Sequence, residues 1–429
     1  MKGVIFSYVL AYGGAVLSLI NPHYGLLAYV ALAILKPEAM WFWQFSDNQN
    51  FSRLVAYALL AGWAVHGFGN WKLGKGWAIT LALVGFLLWA VVSAVQSPDP
   101  ALGWGFVDPL LKIVIPFVVG MTVLDSVAKL KQLAWVIVLS QGYVAYELNL
   151  SYFNNPALSR VQDNFAGLDN NSIAIAMVSC VGLAFFLALH APAWWQKLVA
   201  FAAAGLMSHV IMFSYSRGGM LALLLTGLVI GLLILLIPKK KPTHLVALIG
   251  AGLLGARLAG PRVLERFFTT FSDQAERDAS AQSRLDLWAD CWDSMLKRPV
   301  FGLGPDHWPL IAHEYGWPPG KEAHSLWMQT GAEMGFPGLV LLLAFYGLGL
   351  VRLWPLARER VPTADPWISC LARAVIASLV GFMIAAQFVS LERLEVPYYV
   401  ALLGAGILKV HGLGRAAVEP AAAPIPSHA

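Results

Sequence analysis

The chain has 429 residues, of which 58% are hydrophobic and only 12% are charged. Soluble domains are about 45–50% apolar and about 25% charged, so this composition excludes an ordinary soluble protein. The mean hydropathy of +0.65 is too high for one anchor, because a single membrane span uses only about 20 residues. The formal charge of +5 does not indicate nucleic-acid binding, since the longest basic run is Lys239 to Lys241.

Apolar segments that are long enough, or nearly long enough, to cross a membrane recur along the chain. Five of them come first: 4–20, 24–35, 54–65, 77–95 and 107–124. Eight follow: 133–148, 172–189, 198–213, 220–237, 245–258, 326–351, 367–389 and 396–410. Each span needs about 17–25 residues with its flanks. We therefore predict an all-α polytopic membrane protein with about 12 transmembrane helices.

This pattern divides the chain into four parts. Residues 1–260 are predicted to form the N-terminal transmembrane helices, 261–325 one large polar loop, and 326–411 the C-terminal transmembrane helices. The tail 412–429 is rich in Ala and Pro, and we expect it to be disordered.

Lys and Arg in the short loops indicate the cytoplasmic side. Counting helices from Lys239–Lys241 places five basic loops on that side: Lys72 and Lys75; Lys129 and Lys131; Lys197; the reference triplet itself; and Arg352, Arg358 and Arg360. The large loop then lies on the extracytoplasmic side. The short segment 24–35 leaves the side of the amino terminus open.

Within the large loop, apolar residues recur at helical spacing. These are Leu285, Trp288, Ala289, Trp292 and Leu296. The spacing predicts an amphipathic helix, which either lies on the bilayer surface or packs on the membrane bundle. Both interpretations can hold together.

Two arginines are candidates for binding an anion. Arg217 lies between two apolar segments, where a cation is costly unless it is paired or faces a cavity. The alternative is an arginine that extends from a helix end to the interface. Arg284 begins the amphipathic helix on the same predicted side, and two guanidinium groups suit a diphosphate. Arg160 and Lys112 are further candidates on that side, each with a structural role as the alternative.

His324 is the candidate base, because it lies where the large loop re-enters the membrane and a neutral imidazole accepts a proton from a hydroxyl near pH 7. Its alternative is a structural role. Glu333 follows within an apolar helix, where it either binds a sugar or holds the fold. Nine residues place Glu333 about half a turn out of phase with His324, so we do not expect it to orient the imidazole directly.

Other sites are not supported by the spacing. Asp306, His307 and His313 match no common metal-ligand pattern, so we predict no metal and no cofactor. Cys180, Cys291 and Cys370 lie far apart, so no disulfide is predicted. We expect Cys291, in the large loop, to be reachable from outside the cell.

Several of these residues together resemble a known superfamily. They are the Ser216-Arg217-Gly218 junction, Arg284 followed by Trp288, the Phe301–Pro305 turn, and His324-Ser325 with Glu333 and Gly335. In this order they resemble the O-antigen ligase, O-antigen polymerase and protein O-oligosaccharyltransferase superfamily, over roughly residues 149–410.

The resemblance implies metal-independent, inverting transfer of a glycan from undecaprenyl diphosphate to an acceptor hydroxyl at the periplasmic face of the bacterial inner membrane. Arg217 and Arg284 match the superfamily's functional arginines and would hold the diphosphate. His324 matches its functional histidine and would activate the acceptor. The ligases of this superfamily are expected to have twelve helices with both termini cytoplasmic.

The acceptor is not determined by these residues, because ligases, polymerases and protein glycosyltransferases share the donor chemistry. The loop is short and has an amphipathic helix, which favours a membrane-embedded acceptor such as lipid A-core; a polymerase is the close alternative. A polysaccharide or lipid transporter is the alternative of another class. Transporters of that kind usually show an internal repeat with broken helices, and we find none in the sequence.

Overall fold

The computed structural model describes residues 2–45, 49–155, 161, 165–238, 241–268, 279–391 and 393–418. Within these ranges all regular elements are helical, so the predicted all-α class is confirmed. The first eight helices are α1 (Lys2–Ile20), α2 (Pro22–Leu35), α3 (Pro37–Met40), α4 (Phe51–Val65), α5 (Trp77–Gln96), α6 (Pro100–Val123), α7 (Val127–Asn154) and α8 (Asn170–His190). The others are α9 (Trp194–Phe213), α10 (Arg217–Leu235), α11 (Pro242–Phe268), α12 (Ala279–Lys297), α13 (Trp308–Ile311), α14 (Leu326–Ala357), α15 (Pro366–Ala385) and α16 (Glu395–Val418).

Nine helices in the described ranges are long and apolar enough to cross a membrane. They are α1, α5, α6, α8, α9, α10, α14, α15 and α16. The chain is therefore a multi-pass membrane protein. Helices α2 and α4 and the apolar part of α11 are shorter, and the exact number of spans stays a prediction.

Contacts between helix ends define one face of the bundle. The amide of Asp99, before α6, donates to Nε2 of His307 at 3.2 Å. The amide of Ser325, before α14, donates to the hydroxyl of Ser390, after α15, at 3.2 Å. These contacts bring the α5–α6 and α15–α16 connections beside the large loop, and we call this end the site face.

The opposite end carries the basic loops, and we call it the basic face. Nζ of Lys409 donates to the carbonyls of Met121 at 2.6 Å and Asn70 at 2.9 Å. The ammonium of Lys131 lies 5.3 Å from the ring of Trp367, which joins the starts of α7 and α15. The basic residues of the described loops are thus grouped at this end, as the sequence predicts, whereas Lys239 and Lys240 lie outside the described residues. Its assignment to the cytoplasm stays a prediction.

Exposed aromatic side chains mark both faces. Trp43 and Trp104 lie near the site face, and Trp77 and Trp194 near the basic face; each is about half exposed or more. Tryptophan favours the two membrane interfaces, because its ring is apolar and its N–H is polar. These side chains support placement of the bilayer between the two faces.

The short helix α2 joins the two faces. Near its start, Nε2 of His23 hydrogen-bonds Oε1 of Gln132 at 2.7 Å, and after its end Lys36 pairs with Glu395 at 3.4 Å. Fourteen residues rise only about 21 Å, yet α2 is almost entirely buried by neighbouring helices and so need not match the lipid thickness. Helix α1 therefore begins at the site face, while Lys409 places the end of α16 at the basic face. The start of α1 and the end of α16 thus lie at opposite faces, unlike the twelve-helix arrangement with both termini on one side that the superfamily implies.

The amphipathic helix α12 has two apolar stripes. Leu287, Cys291 and Met295 are buried against the remainder of the loop and α14, whereas Leu285 and Trp292 are about half exposed. Packing of this helix on the protein is therefore confirmed, and the placement of its exposed stripe on the bilayer surface stays a prediction. The expectation that Cys291 is reachable from outside is wrong, because its side chain is only 1% exposed.

Two predicted segment boundaries fall inside helices. Helix α11 continues through Phe268, past the predicted end at 260, and α16 continues through Val418, past 411. Both helices therefore extend beyond the apolar segments that the sequence pattern detects.

Candidate functional site

The Ser216-Arg217-Gly218-Gly219 segment begins α10 at the site face. The Ser216 hydroxyl accepts the amide of Gly219 at 3.1 Å, which caps the helix, and Arg217 is its first residue. A Cβ on Gly218 would lie 2.7 Å from Phe388, so glycine is needed for close packing. The left-handed residue of the turn is Tyr215, with φ of 55°. The chain reversal is therefore made at Tyr215, and the glycines provide space for neighbouring side chains.

His324 itself has a left-handed backbone, with φ of 50°. Such a conformation is uncommon outside glycine and persists where the surroundings fix it. Here the preceding residue is held on both sides: the amide of Ala323 donates to Oε1 of Gln329 at 3.1 Å, and its carbonyl accepts Nε1 of Trp288 at 3.0 Å. The following residue, Ser325, is held by Ser390. The imidazole is thus attached to a rigid segment.

The structure brings Arg217, Arg284 and His324 together with Asp169, the residue before α8. Burial and then the Arg217 guanidinium lower the pKa of Arg284, whereas Asp169 acts in the opposite direction. Burial, Lys321 and Arg284 lower the pKa of His324 to about 4, with Asp169 again opposing. The imidazole is therefore neutral at pH 7, beside cations that repel one another. An anion in this position relieves that repulsion.

Glu333 is completely buried in α14, and its carboxylate binds backbone amides. Oε2 accepts the amide of Asp306 at 2.9 Å, and Oε1 accepts the amide of Trp308 at 3.2 Å and Nε2 of Gln329 at 3.2 Å. This geometry supports the fold-holding alternative for Glu333.

The Phe301–Pro305 turn packs closely against the part of α14 around Glu333. The amides of Leu303 and Gly304 donate to the carbonyls of Ala332 and Glu333 at 3.0 and 2.8 Å. A Cβ on Gly335, where α14 is kinked, would lie 2.3 Å from the carbonyl oxygen of Val300. The glycines of both motifs therefore permit one backbone-to-backbone contact that fixes the loop on the bundle.

Sequence reasoning missed Asp169 and Arg393. Arg393, between α15 and α16, pairs with Asp306 at 3.4 Å. Glu322 lies within electrostatic range of Asp169, Asp306 and Arg393, so it joins the two parts of the site. Arg393 offered the same signal as Arg217, a cation between two apolar segments. Asp169 offered only a helix-capping pattern, with Ser172 three residues later.

Two other predicted candidates are not brought to this site. Lys112 lies twelve residues into α6, about 18 Å along its axis, and pairs with Asp108. The expectation that Lys112 lies on the side of the site is therefore wrong, because α6 begins at Pro100, earlier than the predicted apolar segment 107–124, and Lys112 falls in the middle of the helix. Arg160 lies outside the described residues.

Both ring nitrogens of His307 form hydrogen bonds with the backbone. Nε2 accepts the amide of Asp99 at 3.2 Å, and Nδ1 hydrogen-bonds the carbonyl of Pro305 at 2.8 Å. His307 therefore has a structural role, since it attaches the turn to the start of α6. Its neighbours Asp306 and His313 bind Arg393 and the Leu310 carbonyl, respectively.

Comparison with known proteins agrees with the motif order. A family model described as O-antigen ligase matches residues 202–343, a segment that contains Arg217, Arg284, His324 and Glu333. In a search of curated proteins, nothing matches the chain. The matched segment runs from the middle of α9 to the middle of α14, and it supports the similarity of this part of the chain to the O-antigen ligase-like superfamily.

Proposed function

We propose that the protein transfers a glycan from a lipid diphosphate, undecaprenyl diphosphate, to a hydroxyl acceptor. The match to the O-antigen ligase family model supports a membrane glycosyltransferase with a lipid-linked glycan donor. The observation that carries the finer proposal is the convergence of Arg217, Arg284 and His324 from three separate segments at one face.

In this proposal the arginines bind the donor. Guanidinium groups form paired hydrogen bonds with phosphate oxygens, and two of them match two phosphates. The charge that develops on the diphosphate as it leaves is stabilised by groups already held in place by the helix cap of Ser216 and by α12. A diphosphate is a good leaving group, so no general acid is needed.

His324 acts as the base. Its neutral imidazole accepts the proton of the acceptor hydroxyl as the oxygen attacks the anomeric carbon. The bond between that carbon and the phosphate oxygen breaks, and the lipid diphosphate leaves with the electron pair. Attack from the side opposite the diphosphate inverts the anomeric configuration.

Donor binding also makes His324 a stronger base. In the free protein, nearby cations contribute to the low pKa of His324. A bound diphosphate neutralises Arg284 and so raises this pKa. The base therefore becomes effective when the donor is present.

The acceptor that fits best is a lipid such as lipid A-core, reached at the periplasmic face of the inner membrane. The exposed apolar stripe of α12 lies beside the site and suits the outer bilayer surface. Polymerisation of the lipid-linked glycan is the second candidate. The acceptor of a polymerase is also attached to a lipid, so the same stripe favours it. A transporter receives no comparable support, since Arg217, Arg284 and His324 converge at one face and not at the middle of the bundle.

The test uses purified protein in vesicles with a lipid-diphosphate-linked glycan, with and without a lipid A-core acceptor. We expect glycan on lipid A-core and free lipid diphosphate. Longer glycans on the diphosphate without the acceptor would instead establish polymerisation. No transfer to either acceptor, together with movement of the donor between leaflets, would establish a transporter.

A further inference from the structure

Helix α6 carries a pair of charges on its outer surface. Asp108 and Lys112 lie one turn apart and pair with each other, with side chains 66% and 55% exposed. Because α6 runs from the site face to the basic face, Lys112 lies about 17–18 Å along the axis from either end. The pair therefore lies at a depth where the surrounding solvent is hydrocarbon.

Charged side chains at this depth normally face the protein interior, a water-filled cavity or another polypeptide. The described part of the chain leaves this pair on the outside. A comparable pair, Asp125 and Lys129 at 2.8 Å, lies between α6 and α7 at the basic face, where water reaches it. Of these two pairs, the one on α6 is the pair that lies at hydrocarbon depth and is left uncovered by the described part of the chain.

The same stripe of α6 is shaped for close contact with another helix. Ala101 and Gly105 are exposed and precede Asp108 along the stripe, and a Cβ on Gly105 would meet nothing within 4 Å. Small residues four positions apart let two membrane helices approach closely. Nearer the basic face the helix is already covered, since Nε1 of Trp63 donates to the hydroxyl of Thr122 at 2.8 Å. The open surface is the half of α6 that leads to the site.

We propose that this stripe, Ala101, Gly105, Asp108 and Lys112, is the contact between two copies of the chain. Two copies in one membrane have the same orientation, so a two-fold axis perpendicular to the membrane places their α6 helices side by side and parallel. Asp108 of each copy then reaches Lys112 of the other. The stripe carries one acidic and one basic side chain, so the stripe of a second copy offers the opposite charge to each of them. A different protein would need to carry an acidic and a basic residue at the same spacing.

The contact adjoins the functional site of each copy. The carbonyl of Gly105 accepts Nη1 of Arg393 at 3.4 Å, and the same guanidinium pairs with Asp306. The dimer thus places the Arg393 side of two sites next to each other. The inference does not depend on the proposed reaction, because it rests on charge and depth alone.

Disulfide cross-linking of Ala101→Cys in native membranes tests the contact. The native cysteines are buried, so they give little background. We expect a species of twice the monomer mass under mild oxidation, and none with Leu88→Cys, an exposed position on the neighbouring helix α5. Adding Asp108→Lys, or Lys112→Asp, should reduce the cross-linked species to that background.

Charge reversal distinguishes a second copy from other covers. Co-expression of the two single variants should restore the cross-link between one variant and the other. The double variant Asp108→Lys with Lys112→Asp, expressed alone, should also restore the cross-link. The double reversal of Asp125 and Lys129 is the matched control and should change nothing. Monodisperse elution in detergent shows that each variant folds.

The proposal is overturned if Ala101→Cys cross-links no more than Leu88→Cys, or if the yield is insensitive to the charges. A cross-linked species of another mass would mean that a different protein covers the stripe.

Discussion

Nε2 of Gln329 donates to Oε1 of Glu333 at 3.2 Å, and the other end of the same amide accepts the backbone N–H of Ala323. One side chain thus links a buried carboxylate to the residue before His324. Its spacing predicts that Glu333 does not orient the imidazole directly, and the structure connects it to the His324 segment through Gln329.

Glu333→Gln should destabilise the protein. The new amide presents a donor to the N–H of Asp306 or Trp308, so one buried backbone donor loses its acceptor, at a cost of about 1–3 kcal/mol. Thermal unfolding in detergent measures this loss. Glu314→Gln, at an exposed position of the same loop, is the control. Equal stability of the two variants would contradict the role given to Glu333.

His324→Ala should reduce transfer by about 10²–10⁴-fold, the usual contribution of a general base. His313→Ala, also in the large loop but exposed, should leave transfer unchanged. Initial rates in vesicles compare the two, and unchanged unfolding temperatures exclude loss of the fold. Near-normal transfer by His324→Ala would remove the proposed base.

Arg217→Lys and Arg284→Lys should each weaken donor binding by about 10–100-fold. A single ammonium does not replace a planar guanidinium, whose charged hydrogen bonds contribute about 1.5–3 kcal/mol. Binding of the lipid-linked donor to the purified variants measures the effect. Arg53→Lys, at an exposed arginine in the first turn of α4, is the matched control. If all three variants bind alike, neither site arginine holds the diphosphate.

The pH dependence should differ between the free protein and the donor complex. Burial and two cations hold the pKa of His324 at about 4, so the imidazole is neutral above this pH and gains a proton below it. Bound donor raises the pKa, so activity at saturating donor should fall at a higher pH than activity at limiting donor. Rates from about pH 4 to about pH 8 give kcat and kcat/KM. If kcat and kcat/KM fall at the same acidic pH, the donor does not change the pKa of His324.

The orientation can be measured with single cysteines. Glu314→Cys at the site face should react with a membrane-impermeant maleimide in cells whose outer membrane is permeable, and Lys72→Cys at the basic face only after the inner membrane is opened. The three native cysteines should stay silent because they are buried. The reverse pattern would place the proposed site in the cytoplasm.

Much of the fold follows from the apolar pattern. The lengths of the apolar segments and the loop charges predict the helices and their grouping into two faces. The apolar pattern predicts membrane spans less well where a helix is buried by other helices. Helix α2, for example, is too short to span the lipid but is enclosed by protein. It also misplaces the start of α6, where Asp99 and Pro100 cap the helix before its apolar part begins.

The site is predicted less completely. Arg217, Arg284 and His324 stand out because charge is rare in this chain. Asp169 and Arg393 join them through tertiary packing, which sequence spacing does not contain. For α12 the period reveals the exposed stripe, whereas the buried stripe at Leu287 and Cys291 is recognised only from its neighbours.

At the basic face, the cations that orient the chain also complete its helices. Lys409 binds the last carbonyls of α6, and Arg373 binds the carbonyl of Ala357 at the end of α14. Helix ends leave such carbonyls without intrahelical partners, and a buried cation satisfies them. Orientation and stability therefore depend on the same side chains. If these charges were moved to the other side of the membrane, the protein would not simply insert in the inverted orientation and stay intact. The carbonyls at two helix ends would lose their hydrogen-bond donors.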